Sequence, residues 1–350
     1  MTTDAIRFEQ GQTLFLDGLK DFAAGRLTDA ERRFTLSLEL VPDRPSTLLN
    51  LAAVQLKLLR PQAALDAVAQ VLAIEPKSGE AWFHHGCAMT QLGQAEVALE
   101  SFEHAGAFIR NSAEPWFRHG QLLQGLDRDE NALRSYERAV AADEHFAPAW
   151  SNIGTLLREL GRLDEAAHAF SRARGCGADA QLHDYYLAAV GHGTVPKAAP
   201  ARYVETLFDE YADSFAGHVV DVLGYRAHTM LSGALKEFAP DRKFSRAVDL
   251  GCGTGLLGSL LQPITQHLIG VDLSTQMLVE AKASGAYDLL VQQELVEFLN
   301  GEHSTFDLVA AADVLIYVGD LSAAFAAVHR VLSADGIFCF SVELAPPHGL

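Results

Sequence analysis

Three tryptophans, Trp82, Trp116 and Trp150, stand 34 residues apart. A fixed period of this length constrains the fold more than any local signal in the chain. The same frame reaches back to Leu48 and Leu14. Four residues beyond these positions come Gly18, Ala52, Gly86, Gly120 and Gly154, all small. Twelve further on stand Ala30, Ala64, Ala98, Ala132 and Ala166, and four after those come Phe34, Val68, Phe102, Tyr136 and Phe170. Pro42 and Pro76 close the first two units. The pattern predicts two helices per unit. The small residue and the alanine let the backbones approach, and the large residue one turn later fills the groove beside them. Gly25, Gly93 and Gly161 fall where each pair must turn, with Leu59 and Asp127 at the equivalent places. No unit can bury its apolar face alone, so the units must stack into an all-α solenoid.

These columns resemble the tetratricopeptide repeat family. Five units fit, over residues 11–180, after a ten-residue tail at 1–10. The resemblance implies a groove that binds a protein or an extended peptide. One subgroup of the family holds a C-terminal carboxylate in a Lys/Asn clamp. That clamp is absent from the inner positions, which include Phe15, Phe83, Cys87, Phe117 and Gln121. The three phenylalanines are candidates either for groove contacts or for packing between helices. Residues 181–200 read as a capping helix, with Tyr185, Tyr186 and Leu187, and then a Pro/Gly linker. His183 and His192 lack cysteine or carboxylate neighbours and are expected on the surface, with no metal.

From Arg246 the periodicity changes. Arg246 to Leu250 is a predicted strand that runs into Gly251-Cys252-Gly253-Thr254-Gly255, with an apolar helix expected over Leu256–Leu261. A strand, a glycine turn and a helix suit a nucleotide, because glycine lets backbone approach where a Cβ would clash. A second strand, His267–Val271, ends at Asp272, where a carboxylate can accept from both ribose hydroxyls. Ser274 is a predicted N-cap. Further strands are expected at Tyr287–Val291, Phe306–Ala311 and Gly336–Val342, with Glu294 in the turn after the third and a helix over Leu321–Leu332. Alternation of strands with helices predicts a doubly wound parallel sheet.

Gly253 to Gly258 is formally the dinucleotide GxGxxG fingerprint, which leaves a nicotinamide oxidoreductase open. A carboxylate at Asp249, however, would face a pyrophosphate and repel it. With Asp272 and Glu294 it favours a ligand that carries an amino group, a ribose and an adenine. Together these motifs resemble the class I S-adenosylmethionine-dependent methyltransferases, of Rossmann-like α/β fold, over residues 208 to about 343. The repeat-then-methyltransferase order is similar to bacterial predicted methyltransferases that contain tetratricopeptide repeats. The resemblance implies roles residue by residue. Gly251, Cys252, Gly253 and Gly255 form the loop against the methionine and ribose, with Cys252 a small turn residue. Asp249 holds the amino group, Asp272 and Leu273 the ribose, and Met277 packs near the nucleoside. Glu294 and Leu295 frame the adenine. Leu207 to Ala212, with Phe215 and His218, resembles the family's N-terminal lid, and Tyr211 closes it. Asp313 and Tyr317, after the fourth strand, are candidates for acceptor contact or general base. A scaffold in which the repeats bind a partner and the second domain binds cofactor weakly remains the rival reading.

Composition narrows the setting. Lys plus Arg is 27 against 45 Asp plus Glu, a net charge of −18, which repels a phosphate backbone and argues against nucleic acid as partner. Four cysteines without a CxxC pair fit neither a disulfide framework nor a zinc site. No run of about 18 apolar residues is long enough for a membrane span. Met1 to Gln10 has no long apolar run, so a signal peptide is not expected and the cytoplasm is the simplest compartment. The expected domain at 201–350 supplies five strands, order 3-2-1-4-5, with the family's strands six and seven missing. Pro346 and Pro347 cannot join a ladder. The fifth strand is therefore an expected edge, in a shortened chain or in a homo-oligomer that covers it.

Overall fold

The computed structural model describes residues 3–194, 198–217 and 226–342. The chain divides into two compact units, Met1–His192 and Gly193–Leu350.

The first unit is a run of helix pairs. They are α1 (Thr3–Ala23) with α2 (Leu27–Leu40), α3 (Pro45–Lys57) with α4 (Pro61–Ile74), and α5 (Gly79–Gln91) with α6 (Ala95–Phe108). Then come α7 (Glu114–Gln124) with α8 (Asp129–Ala142) and α9 (Ala147–Glu159) with α10 (Leu163–Gly175). Helix α1 starts at Thr3, inside the segment expected as a tail.

The size columns have a direct steric cause. A Cβ added to Gly18, Gly86, Gly120 or Gly154 would sit 2.5–2.8 Å from the ring of Phe34, Phe102, Tyr136 or Phe170 of the same repeat. The five column alanines are all 0 % exposed, so the second helix of each pair lies flat against the first. Phe15, Phe83 and Phe117 each pack a ring against the large residue of their own repeat, at centroid distances of 5.9, 5.9 and 5.7 Å. They are part of the interhelix packing. Helix α11 (Ala180–Ala189) closes the array, with Tyr186 stacked on Phe170. His183, expected on the surface, is instead buried. Its Nε2 meets Ser151 Oγ at 2.8 Å and its Nδ1 meets the Asp179 carbonyl at 2.7 Å. Its position on the inner face of the cap decides this, and no neighbouring residue in the sequence signals it.

The second unit opens with α12 (Ala201–Gly217) and α13 (Ala227–Phe238). Strands β1 (Phe244–Leu250), β2 (Thr265–Asp272), β3 (Leu289–Gln292), β4 (Phe306–Ala311) and β5 (Leu332–Phe340) form one sheet. Its order is β3-β2-β1-β4-β5 and every pairing is parallel. Between the strands run α14 (Gly258–Leu261), α15 (Thr275–Ser284), α16 (Leu295–Gly301) and α17 (Leu321–Val331). The order reverses between β1 and β4, which opens the crevice where such sheets bind ligands.

Several boundaries differ from expectation, and β1 and β2 each begin two residues early, at Phe244 and Thr265. Helix α14 begins at Gly258 rather than Leu256 and lasts four residues before a 3-10 turn at Gln262–Ile264. The glycine loop is longer than the motif alone suggests. Strand β3 begins two residues later than expected, because Tyr287 turns into the core instead of pairing. Strand β5 begins at Leu332, four residues early, and its pairing with β4 is irregular between Phe306 and Leu308. Among the described residues β5 pairs with β4 alone.

The intra-repeat turns yield a stability prediction. Gly25, Gly93 and Gly161 have φ of 71–73°, and Leu59 and Asp127 occupy the same left-handed conformation at φ 56°. For leucine that region costs about 1–2 kcal/mol, and Leu59 is 77 % exposed, so packing returns little. Leu59→Gly should stabilise the chain by about 0.5–1 kcal/mol after the extra unfolded-state entropy of glycine. A urea midpoint that moves down instead would show that the turn is not strained.

Candidate functional site

One cavity of about 750 Å³ opens in the second unit, over the C-terminal ends of β1, β2 and β4. That size is in the range of small-molecule sites. The glycine loop forms its floor. Gly251 has φ 65°, and a Cβ there would meet Val314, after β4, at 2.4 Å. A Cβ on Gly253, at φ 52°, would meet nothing within 4 Å. Gly251 thus locks two loops together, while Gly253 presents bare backbone to open space. Gly255 faces elsewhere. Its Cβ would lie 3.0 Å from Ser284 Oγ and 3.2 Å from the Tyr287 ring, and it does not line the cavity. Thr254 does line it, with a buried Oγ that has no hydrogen-bond partner in the structure. A buried hydroxyl so placed is suited to meet a ligand.

Two carboxylates flank the loop. Asp249, at the end of β1, is 1 % exposed and accepts a hydrogen bond from the Tyr287 hydroxyl at 2.7 Å on Oδ2. Burial pushes its carboxyl up to about 7, opposed by the Tyr287 bond and reinforced by the Asp272 charge. Asp272, at the end of β2, accepts from the Gly253 N–H at 2.8 Å and the Ser274 N–H at 2.9 Å. Burial raises its carboxyl too, against those backbone bonds. A carboxylate has about four acceptor positions, so two backbone bonds leave Asp272 capacity for a diol. Cys252 is 6 % exposed, and burial lifts its thiol well above the ordinary range. It is a packing residue and no nucleophile.

Tyr287 is the residue that sequence reasoning missed. Its ring lies where a Cβ on Gly258 would meet it at 2.2 Å and a Cβ on Gly270 at 2.9 Å. The glycine run is thus partly a cage for this ring. The signal was present in Gly258 and Gly270, whose partner cannot be named without the fold.

The remaining candidates fall around the same cavity. Met277, 1 % exposed, and Leu273 line it beside Asp272. Ser274 caps α15 by accepting from the Met277 N–H at 3.0 Å. Glu294 and Leu295 line it after β3, but Glu294 Oε2 caps α16, accepting from Val296 and Glu297 N–H at 2.8 and 2.9 Å. Asp313, at φ 52°, and Tyr317 line it after β4. Helix α12 walls it with Val204, Leu207, Phe208 and Phe215. Asp209 on that helix accepts from Ser274 Oγ at 2.5 Å and the Gln276 N–H at 3.1 Å, which pins α12 to the start of α15. The Tyr211 side chain and His218 lie outside the described residues.

Comparison with known proteins agrees with this geometry. A family model described as a methyltransferase domain matches residues 248–340. A tetratricopeptide repeat model matches residues 113–146 and 147–173. Among curated proteins, the chain is similar to a malonyl-[acyl-carrier protein] O-methyltransferase of Enterobacter lignolyticus, 31% identical over 125 residues, which are 35% of this chain and 49% of that protein. It is also similar to the mitochondrial arginine-hydroxylase NDUFAF5 of Danio rerio, 33% identical over 98 residues, 28% of this chain and 30% of that one. The chain therefore spans half or less of the length of these relatives. A crystal structure of MamA aligns at TM-score 0.41 with 23% identity, over 45% of this chain and 93% of MamA. The second unit thus carries a methyltransferase domain and the first carries tetratricopeptide repeats.

The Asp249–Tyr287 pair gives a pH prediction. The folded carboxyl titrates near 7 and the unfolded one near 3.8. The ligand-free fold therefore binds more protons between these values, and its stability from this group falls as pH rises through about 7. A cation bound beside Asp249 requires the charged form, so binding below about pH 7 releases a proton. The affinity for an amino-bearing ligand such as S-adenosylhomocysteine should drop about tenfold per unit below that point. Tyr287→Phe removes a bond that favours the charged form, so it should move this midpoint upward. Calorimetry across pH 5.5–8 reads both, and a flat profile would separate Asp249 from the ligand.

Proposed function

We propose that the second unit transfers a methyl group from S-adenosylmethionine to an acceptor, and that the repeat array binds a protein or peptide partner. The observation that carries the first part is the pair of carboxylates, buried Asp249 and half-buried Asp272, on either side of bare Gly253 backbone. Anions so placed repel a pyrophosphate and suit an ammonium and a ribose diol. The family to which this domain belongs generally uses S-adenosylmethionine, and the chemistry of the donor set fits it.

In this reading Asp249 pairs with the amino group and Asp272 with the ribose hydroxyls. Backbone at Gly251 and Gly253 and the Thr254 hydroxyl line the methionine side. Leu273, Met277 and Leu295 pack on the nucleoside, and Glu294 meets the adenine edge. When bound, the cofactor supplies an activated methyl on a sulfonium. The chain's task is then to align the acceptor and keep water out. Phe208 and Phe215 on α12 give the cavity an apolar wall. Asp313 and Tyr317 are placed to orient the acceptor, and Asp313 to take up its proton. The second part rests on the stacked helix pairs, an architecture that presents an extended binding surface.

S-adenosylhomocysteine should raise the melting temperature, and NAD should not. Stabilisation by NAD alone would overturn the assignment. Asp272→Asn keeps an acceptor for one of the two backbone N–H groups but loses the charge. It should lower S-adenosylhomocysteine affinity about tenfold or more, with little change in the ligand-free melting temperature. Unchanged affinity would exclude Asp272 from the ribose. Transfer of labelled methyl to an added acceptor then separates an enzyme from a scaffold.

A further inference from the structure

Five carboxylates line the cavity: Asp249, Asp272, Glu294, Asp313 and Asp320. No lysine or arginine is among its lining residues, and the undescribed stretches of the chain contain only Lys197. His228 is the remaining basic side chain on the wall. Burial lowers the pKa of its imidazole, which disfavours its charged form.

The sheet sorts these acids into two groups. Asp272 and Glu294 follow β2 and β3, on one side of β1. Asp313 and Asp320 follow β4, on the other side, across the switch point of the strand order. The first group and Asp249 are used by the cofactor in the reading above. The second group is not, and it adjoins an aromatic wall. Phe208 lies edge-on to Tyr317 with centroids 5.3 Å apart and to Phe215 at 6.1 Å. Carboxylates beside aromatic faces attract a cation. The same acids oppose an anion, and no lysine or arginine among the described lining residues offsets them.

We propose that the half of the cavity beyond β4 receives an amine on an apolar body, with the ammonium between Asp313 and the rings of Phe208 and Tyr317, and that it excludes carboxylate acceptors. The inference rests on the methyltransferase reading and adds its substrate class. It also separates this chain from the relative named as an O-methyltransferase of a malonyl carrier protein, whose named substrate presents a carboxylate.

The test uses the full chain and three probes of similar shape, phenethylamine, 2-phenylethanol and 3-phenylpropionate. Each is added at millimolar concentration to protein saturated with S-adenosylhomocysteine, and binding is read by ligand-observed NMR. The amine should bind at least about tenfold more tightly than the carboxylate, with the alcohol between. Asp313→Asn, tested with S-adenosylhomocysteine kept saturating, should bring the affinity for the amine towards that for the alcohol. Equal or tighter binding of the carboxylate, or no binding of the amine, overturns the proposal and leaves the methyltransferase reading standing. Failure of S-adenosylhomocysteine itself to bind overturns the reading on which the proposal rests.

Discussion

The hydrogen bond from Tyr287 to Asp249 organises the second unit. A carboxyl with 1 % exposure is costly to keep in a sheet end unless a donor meets it. The donor here comes from the residue just before β3, and β2 separates β3 from β1 in the sheet. The ring must therefore cross β2, and it can do so only because β2 carries Gly270 opposite Asp249. The ring then needs room beneath the loop, which Gly255 and Gly258 provide. Three of the glycines around the cofactor loop are thus explained by an aromatic side chain and not by the ligand. The sequence motif mixes two demands, and the structure separates them. Gly251 and Gly253 belong to the cavity, and Gly255, Gly258 and Gly270 belong to Tyr287.

A similar logic of absence runs through the first unit. Each repeat leaves out a side chain on its first helix so that a ring on its second can occupy the space. In the second repeat Ala52 faces Val68, a smaller pair with the same complementarity, and both are 0 % exposed. Close-packed interiors penalise a change in either member alone. This is why the columns repeat as matched sizes and not as fixed residue types.

Such matching made the fold legible in the sequence. The period fixed the helix pairs, the alternation of strands with helices pointed to a parallel sheet, and the order β3-β2-β1-β4-β5 followed from the family resemblance. Asp249, Asp272, Met277 and Asp313, candidates from the motifs and the resemblance, all line the cavity. Glu294 was legible in position, but its carboxylate is also engaged in capping its own helix, a role that a sequence pattern does not separate from ligand binding. Tyr287 contributes through a long-range contact. No period or local motif marks it, because its partner Asp249 is 38 residues away. His183 was misread for the same reason: its burial comes from Ser151 and Phe170, on the two preceding helices.

The far side of the site depends on the outermost described strand. Asp313 holds a left-handed backbone conformation at φ 52°, uncommon for a residue other than glycine and sustained only where neighbours impose it. The neighbour is Ser341, just past β5. Its hydroxyl accepts from the Asp313 N–H at 2.7 Å and donates to the Asp313 carboxylate. Ser341 is itself fixed by its own N–H, which donates to the Ala311 carbonyl at 3.0 Å. The turn held in this way also places Val314 against Gly251. Pairing between β4 and β5 is therefore transmitted through Ser341 to Asp313 and through Val314 to the cofactor loop. Among the described residues β5 lines none of the cavity, yet its register decides where the Asp313 carboxylate stands. Its edge position in the described sheet and its influence on the site follow from the same strand.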